Sequence, residues 1–135
     1  MTNYMKKTKP KYLFINRIFL AIGGILIATK RERHMRIHLL MATFLLTPLL
    51  WIKINIVYTW ILITLIALLI ITELINTAIE LTIDLVTRKF SYRAKLAKDI
   101  ASGSVLIMAS LVVMFSTFIY FQPLLSIFRS ITIGN

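Results

Sequence analysis

Residues 56–84 read IVYTWILITLIALLIITELINTAIELTID, and this stretch decides the fold. Its first seventeen residues, Ile56 to Thr72, carry no charge. As a helix they cover about 26 Å, close to the hydrocarbon thickness of a bilayer, about 30 Å. Charge then arrives at Glu73 and returns at Glu80 and Asp84, with Asn76 between them. At about 100° per residue, Asn76, Glu80 and Asp84 fall about −60°, −20° and +20° from Glu73. Four polar groups therefore share an arc about 80° wide on an otherwise apolar helix. Glu73 falls at the edge of the hydrocarbon, and Glu80 lies about 10 Å further along.

The whole chain agrees with a lipid environment. Of its 135 residues 59% are hydrophobic, and the mean hydropathy is +0.84. A soluble domain is only about half apolar. The net charge is +11, but the basic residues flank apolar runs instead of forming a stripe. That pattern suits loops facing anionic lipid and argues against a nucleic-acid partner. The chain has no Cys, which excludes disulfides, thiolate metal sites and Cys nucleophiles. Its four Gly never form a phosphate-loop or dinucleotide fingerprint. The length fits one domain.

The expected architecture is an all-α membrane protein with three transmembrane helices and an N-terminal interfacial amphipathic helix. Residues 1–11 form a basic tail. Residues 12–30 form the interfacial helix, because the uninterrupted apolar run Ile18–Thr29 is short for a span; a fourth span is the alternative. Lys30, Arg31 and Arg33 come after it where a signal-peptide cleavage site would need small residues. Residues 37–52, 56–84 and 94–121 contain the spans. Pro48 bends the first, Lys53-Ile54-Asn55 turns outside, and the last helix is expected to end at Pro123. Residues 1–36 and 85–99 hold fourteen Lys and Arg, against Lys53 and Arg129 elsewhere. The positive-inside rule puts the N-terminus and the 85–99 connection in the cytoplasm and the C-terminus outside.

All five acidic residues, Glu32, Glu73, Glu80, Asp84 and Asp99, fall on that cytoplasmic side. A carboxylate within the membrane costs about 2.5–3.5 kcal/mol at the centre and less at the edge. One explanation is structural: hydrogen bonding between helices, or pairing with Lys98 or Arg93. The other is chemical. Mg²⁺ is usually held by one or two carboxylates plus substrate phosphates, and Glu32 and Glu80 supply them. Lys98 meets phosphate oxygens. Glu73 takes a proton from a hydroxyl at the lipid boundary. Phosphoryl transfer asks mainly for positioning and charge neutralisation. A proton-coupled transporter is the competing function, although a relay usually sits near the midplane. His34 and His38, at i and i+4, read as interfacial residues or as a transition-metal pair. Trp51 and Trp60 suit an outer aromatic belt, and Ser102-Gly103-Ser104 suits close helix contact.

The string Glu73-x-x-Asn76-Thr77-Ala78-Ile79-Glu80-x-x-x-Asp84, then Ala97-Lys98-Asp99-x-x-Ser102-Gly103, resembles the small prokaryotic diacylglycerol kinase family, which includes undecaprenol kinases. Gly24 and Glu32-x-x-x-Arg36-Ile37-His38 are similar to it as well, and the resemblance covers roughly residues 13–121. It implies a homotrimer that transfers the γ-phosphoryl of Mg-ATP to a lipid hydroxyl. The acceptor would be diacylglycerol, giving phosphatidic acid, or undecaprenol, giving undecaprenyl phosphate. It further implies Glu73 as proton acceptor, Glu32 and Glu80 as metal holders, and Glu32, Glu80, Lys98 and Asp99 as ATP contacts. Asn76, Asp84, Ser102 and Gly24 would support the site and the lipid. The implied location is a bacterial cytoplasmic membrane, or an organelle membrane. Leu13, Leu20, His34 and Lys89-Phe90-Ser91 depart from the family pattern.

Overall fold

The computed structural model describes residues 14–87 and 89–133. The basic tail, Leu13, Arg88 and Asn135 lie outside the described residues, which are helical with no strand among them. Four α-helices run in chain order: α1 Phe14–Arg31, α2 Arg33–Leu46, α3 Ile56–Val86 and α4 Tyr92–Ile133, with a 3-10 turn at Thr47–Leu50 after α2.

Local chemistry sets the boundaries. Glu32 alone separates α1 from α2, in an extended conformation with φ −94° and ψ 125°. Its backbone N–H still donates to the Ala28 carbonyl at 2.8 Å. Pro48 has no N–H to continue α2, and the chain tightens into the 3-10 turn there. Asn55 caps α3, its side-chain oxygen accepting from the Val57 N–H at 2.9 Å. Thr87 closes α3 with an N–H to the Ile83 carbonyl at 3.0 Å.

The α3/α4 contact is the structural axis. Leu62, Ile66 and Leu69 on α3 pack against Val105, Val112, Ile119 and Tyr120 on α4. The α3 residues are spaced four and then three apart, the seam period of helices that cross at a shallow angle. Leu62 and Val112 are essentially inaccessible. Ala42, Leu45, Leu46 and Leu49 bring α2 and its 3-10 turn onto the same core. The Tyr120 hydroxyl donates to the Leu45 carbonyl at 2.5 Å, tying α4 to α2. Tyr58 meets Phe115 and Phe118 edge-on, with ring centroids 6.4 and 6.2 Å apart.

Two described helices are long and apolar enough to cross a membrane, α3 and the Tyr92–Ser126 part of α4. The expected first span, residues 37–52, is divided between α2 and the 3-10 turn, so no single helix there has spanning length. The expected end at Pro123 is corrected: α4 runs through that residue to Ile133. Pro123 removes one backbone bond, yet the residues after it are apolar helix formers and the helix resumes.

Candidate active site

The polar residues of α3 continue its packing stripe. Counting on from Leu62, Ile66 and Leu69, the same four-three rhythm reaches Glu73, Asn76 and Glu80. The stripe that is apolar along most of the helix turns polar at Glu73. Glu73 is only 3% exposed, and Asn76 and Thr77 are buried beside it. On α4 the stripe of Val105 and Ala101 leads back to half-buried Lys98. Both polar ends therefore meet where the two helices approach the 87–91 connection.

Within this cluster Glu73 lies inside coulombic range of Glu32, Glu80 and His34. Carboxylates from α3 and from the α1/α2 junction thus share one neighbourhood with a histidine from α2. The Asn76 amide donates to Glu80 Oε1 at 3.2 Å. The Glu32 carboxylate meets Arg31 Nε at 3.3 Å. Lys98 Nζ meets Asp84 Oδ1 at 2.5 Å, bridging α4 to α3. Pairing of Glu73 with Lys98 or Arg93, the structural alternative, is not what forms: Lys98 pairs with Asp84.

Three of the expected residues are exposed: Ser102 and Gly24 stand apart, whereas Asp99 borders the open cavity at the helix ends. Asp99 and Ser102 are exposed on α4. Gly24 is exposed on α1, and a Cβ built there would meet nothing within 4 Å. Among the described residues no group of three or more His, Cys, Asp or Glu is disposed to hold a metal. His34 and His38 therefore do not complete a transition-metal site among those residues. Two carboxylates, Glu32 and Glu80, still suit Mg²⁺, which takes the rest of its ligands from phosphate and water.

An open cavity of about 850 Å³ adjoins the cluster at the ends of α3 and α4. Arg31, Lys89, Lys95 and Lys98 line it, with Asp84, Asp99 and Phe90. Four cations against two carboxylates make it a place for an anion.

Two buried polar atoms at this end have no partner among the described residues, Asn76 Oδ1 and Thr77 Oγ1. A helical wheel restricted to charged and amide groups passes over Thr77. At about 100° per residue it sits about 40° from Glu73, at the border of the same arc. His38 Nδ1 is likewise buried without a partner among the described residues.

Comparison with known proteins places the chain in a family. The family model described as prokaryotic diacylglycerol kinase matches residues 19–120. The chain belongs to the prokaryotic diacylglycerol kinase family. It is 35% identical over 99 residues to an undecaprenol kinase of Bacillus subtilis (strain 168), covering 70% of this chain and 80% of that protein. It is 32% identical over 108 residues to a diacylglycerol kinase of Synechocystis sp., covering 79% of this chain and 62% of that protein. The matched span of this diacylglycerol kinase family member holds every acidic residue of the cluster and Lys98, and it stops at Tyr120.

Proposed function

We propose that this chain is an ATP-dependent lipid kinase, transferring the γ-phosphoryl of Mg-ATP to the single hydroxyl of diacylglycerol or undecaprenol. One observation carries the reading. The helix stripe that packs α3 on α4 becomes a buried carboxylate, Glu73, before the cationic cavity begins.

In this mechanism the lipid stays in the bilayer and presents its hydroxyl at the depth of Glu73. The Glu73 carboxylate takes the hydroxyl proton as the oxygen attacks the γ-phosphorus, and ADP leaves with the bridging oxygen. Asn76 holds Glu80 in place through its amide. Lys98 turns from Asp84 to the phosphates and offsets the charge that builds on the leaving group. Glu32 and Glu80 would hold the Mg²⁺, which supplies further neutralisation of the phosphate oxygens. Asp99 contacts the nucleotide, and Asn76, Ser102, Asp84 and Gly24 support the site and the lipid. Arg31, Lys89 and Lys95 give the triphosphate its approach path.

The membrane arrangement belongs to the same proposal. The apolar part of α2 from Ile37 and the 3-10 turn together rise about 23 Å, somewhat less than the hydrocarbon thickness, and form a short third span. α1 lies in the cytoplasmic interface, with Phe14, Phe19 and Leu26 exposed toward lipid. Three protomers assemble in a bacterial cytoplasmic membrane with the N-terminus inside. Large exposed apolar side chains on α3 and α4 suit both lipid and neighbouring protomers.

The test is purified protein with radiolabelled ATP and the two lipids side by side. Label transfer to one of them supports the kinase and names the acceptor. No transfer to either, with intact nucleotide binding, overturns the reading.

A further inference from the structure

Helix α4 outruns the bundle that it belongs to. The shared core closes at Ile119 and Tyr120, yet the helix continues to Ile133. The residues past that core, 121–133, rise about 20 Å. Counted from Ile100, about twenty residues fill a 30 Å hydrocarbon layer and end at Ile119. On that count the core and the hydrocarbon end close together; Phe121 and Leu124 still border a groove with Met41, Phe44 and Leu45 of α2, and the helix beyond them has no such neighbours among the described residues.

The emerging stretch is nevertheless apolar on one side. Leu124, Phe128 and Ile131 are 56%, 72% and 74% exposed. At about 100° per residue they fall within about 60° of one another, while Ser126 and Arg129 point about 160° and 140° from Leu124; Leu125, 38% exposed, lies between, about 100° from Leu124. Such a stripe in water is unfavourable in proportion to its area. The nearest apolar phase is the bilayer that the helix has just left. Pro123 stands at the junction, where its ring and missing N–H weaken the preceding turn and permit a sharp bend. Trp51 and Trp60 are exposed near the same end of the bundle, as aromatic side chains are at a lipid–water boundary.

We propose that α4 bends at Pro123 and lies along the outer leaflet as an interfacial helix. Leu124, Phe128 and Ile131 enter the acyl boundary, and Arg129 faces lipid phosphates. The partner is the lipid surface itself. This rests on the topology proposed above, with the far end of α4 outside. The anchor fixes the depth of the helix that also carries Lys98.

The absence of native Cys allows single-cysteine variants Leu124→Cys, Phe128→Cys and Arg129→Cys, each nitroxide-labelled in proteoliposomes. Labels at 124 and 128 are expected to meet oxygen more than a polar nickel chelate, at roughly 5–10 Å below the phosphates. The label at 129 is expected to show the reverse preference. Equal water exposure at 128 and 129 overturns the proposal. So does spin–spin broadening at 128 with loss of both accessibilities, which would make a second copy the partner. An impermeant reductant separates the topology: if it reaches label 129 only after permeabilisation, the outer assignment falls although the depth pattern stands.

Discussion

Leu62, Ile66 and Leu69 occupy one part of the α3 stripe, and Glu73, Asn76 and Glu80 occupy the next. The spacing is the same in both, but the polar part also comes near Glu32 and His34, from the α1/α2 junction and α2. In the first part the side chains are apolar and meet Val105, Val112 and Ile119. In the second they are acidic or amide, and Asn76 Oδ1 and Thr77 Oγ1 are buried without partners among the described residues. Unpaired buried polar atoms cost about 1–3 kcal/mol each. The dry part of the seam holds the helices together, and the polar part uses that rigidity to keep unsatisfied groups in position. Apart from Glu32, which sits at the extended junction, the groups of this cluster are carried on helices, which favours precise placement.

The largest effect is expected at Glu32 and Glu80, the carboxylates proposed to hold the metal. Glu80→Gln or Glu32→Gln should abolish ATP-dependent phosphorylation in the radiolabel assay while the oligomer stays intact by size-exclusion chromatography. Full activity in either variant refutes the assignment. Next comes the base. Glu73→Gln should lower turnover by about 10²–10⁴, with Mg-ATP affinity nearly unchanged in an equilibrium binding measurement. Loss of ATP binding with retained turnover at saturating ATP would mean that Glu73 and Glu80 have exchanged roles.

The apolar part should answer differently. Leu62→Ala is expected to cost about 2 kcal/mol, the low end for a buried Leu. Lipid replaces water as the alternative surroundings, so mainly the cavity term is lost. Detergent-unfolding midpoints should fall while kcat at low temperature holds. If Leu62→Ala instead removes activity from a folded protein, the two parts of the seam are not separable. The smallest effect belongs to Asp84→Asn. Its ion pair with Lys98 is largely exposed, and such pairs are worth about 0–1 kcal/mol. Stability should barely move, and KM for ATP should change more than stability as Lys98 is released.

The part of this contrast that lies on α3 could be read from the sequence, because one uninterrupted helix carries both halves and helix periodicity is regular. Glu73, Asn76 and Glu80 share a face on any wheel. Their closeness to Glu32 is not visible that way, since it depends on how α1 and α2 fold back at a single extended residue. The burial of Met35 and half-burial of His38 were equally hidden, because Arg33, Arg36 and the two histidines make that stretch look like a solvated connection. The Lys98–Asp84 pair crosses from one helix to another, so its geometry depends on the 87–91 turn. Pro123 misled for a local reason: a proline marks a break only when the residues after it do not favour helix, and Leu124 and Leu125 do.

The single extended residue between α1 and α2 has a mechanical consequence. α1 is an arm of 18 residues, about 27 Å long, pivoting on Glu32. A tilt of about 10° displaces the far tip by roughly 5 Å, but it moves a carboxylate seated at the pivot by less than about 1 Å. The arm can adapt to a thinner, thicker or more curved bilayer while its fulcrum stays registered to Glu73 and Glu80. If Glu32 holds the metal and α1 lies on the membrane as proposed, a carboxylate at the fulcrum decouples the chemistry from the shape of that membrane.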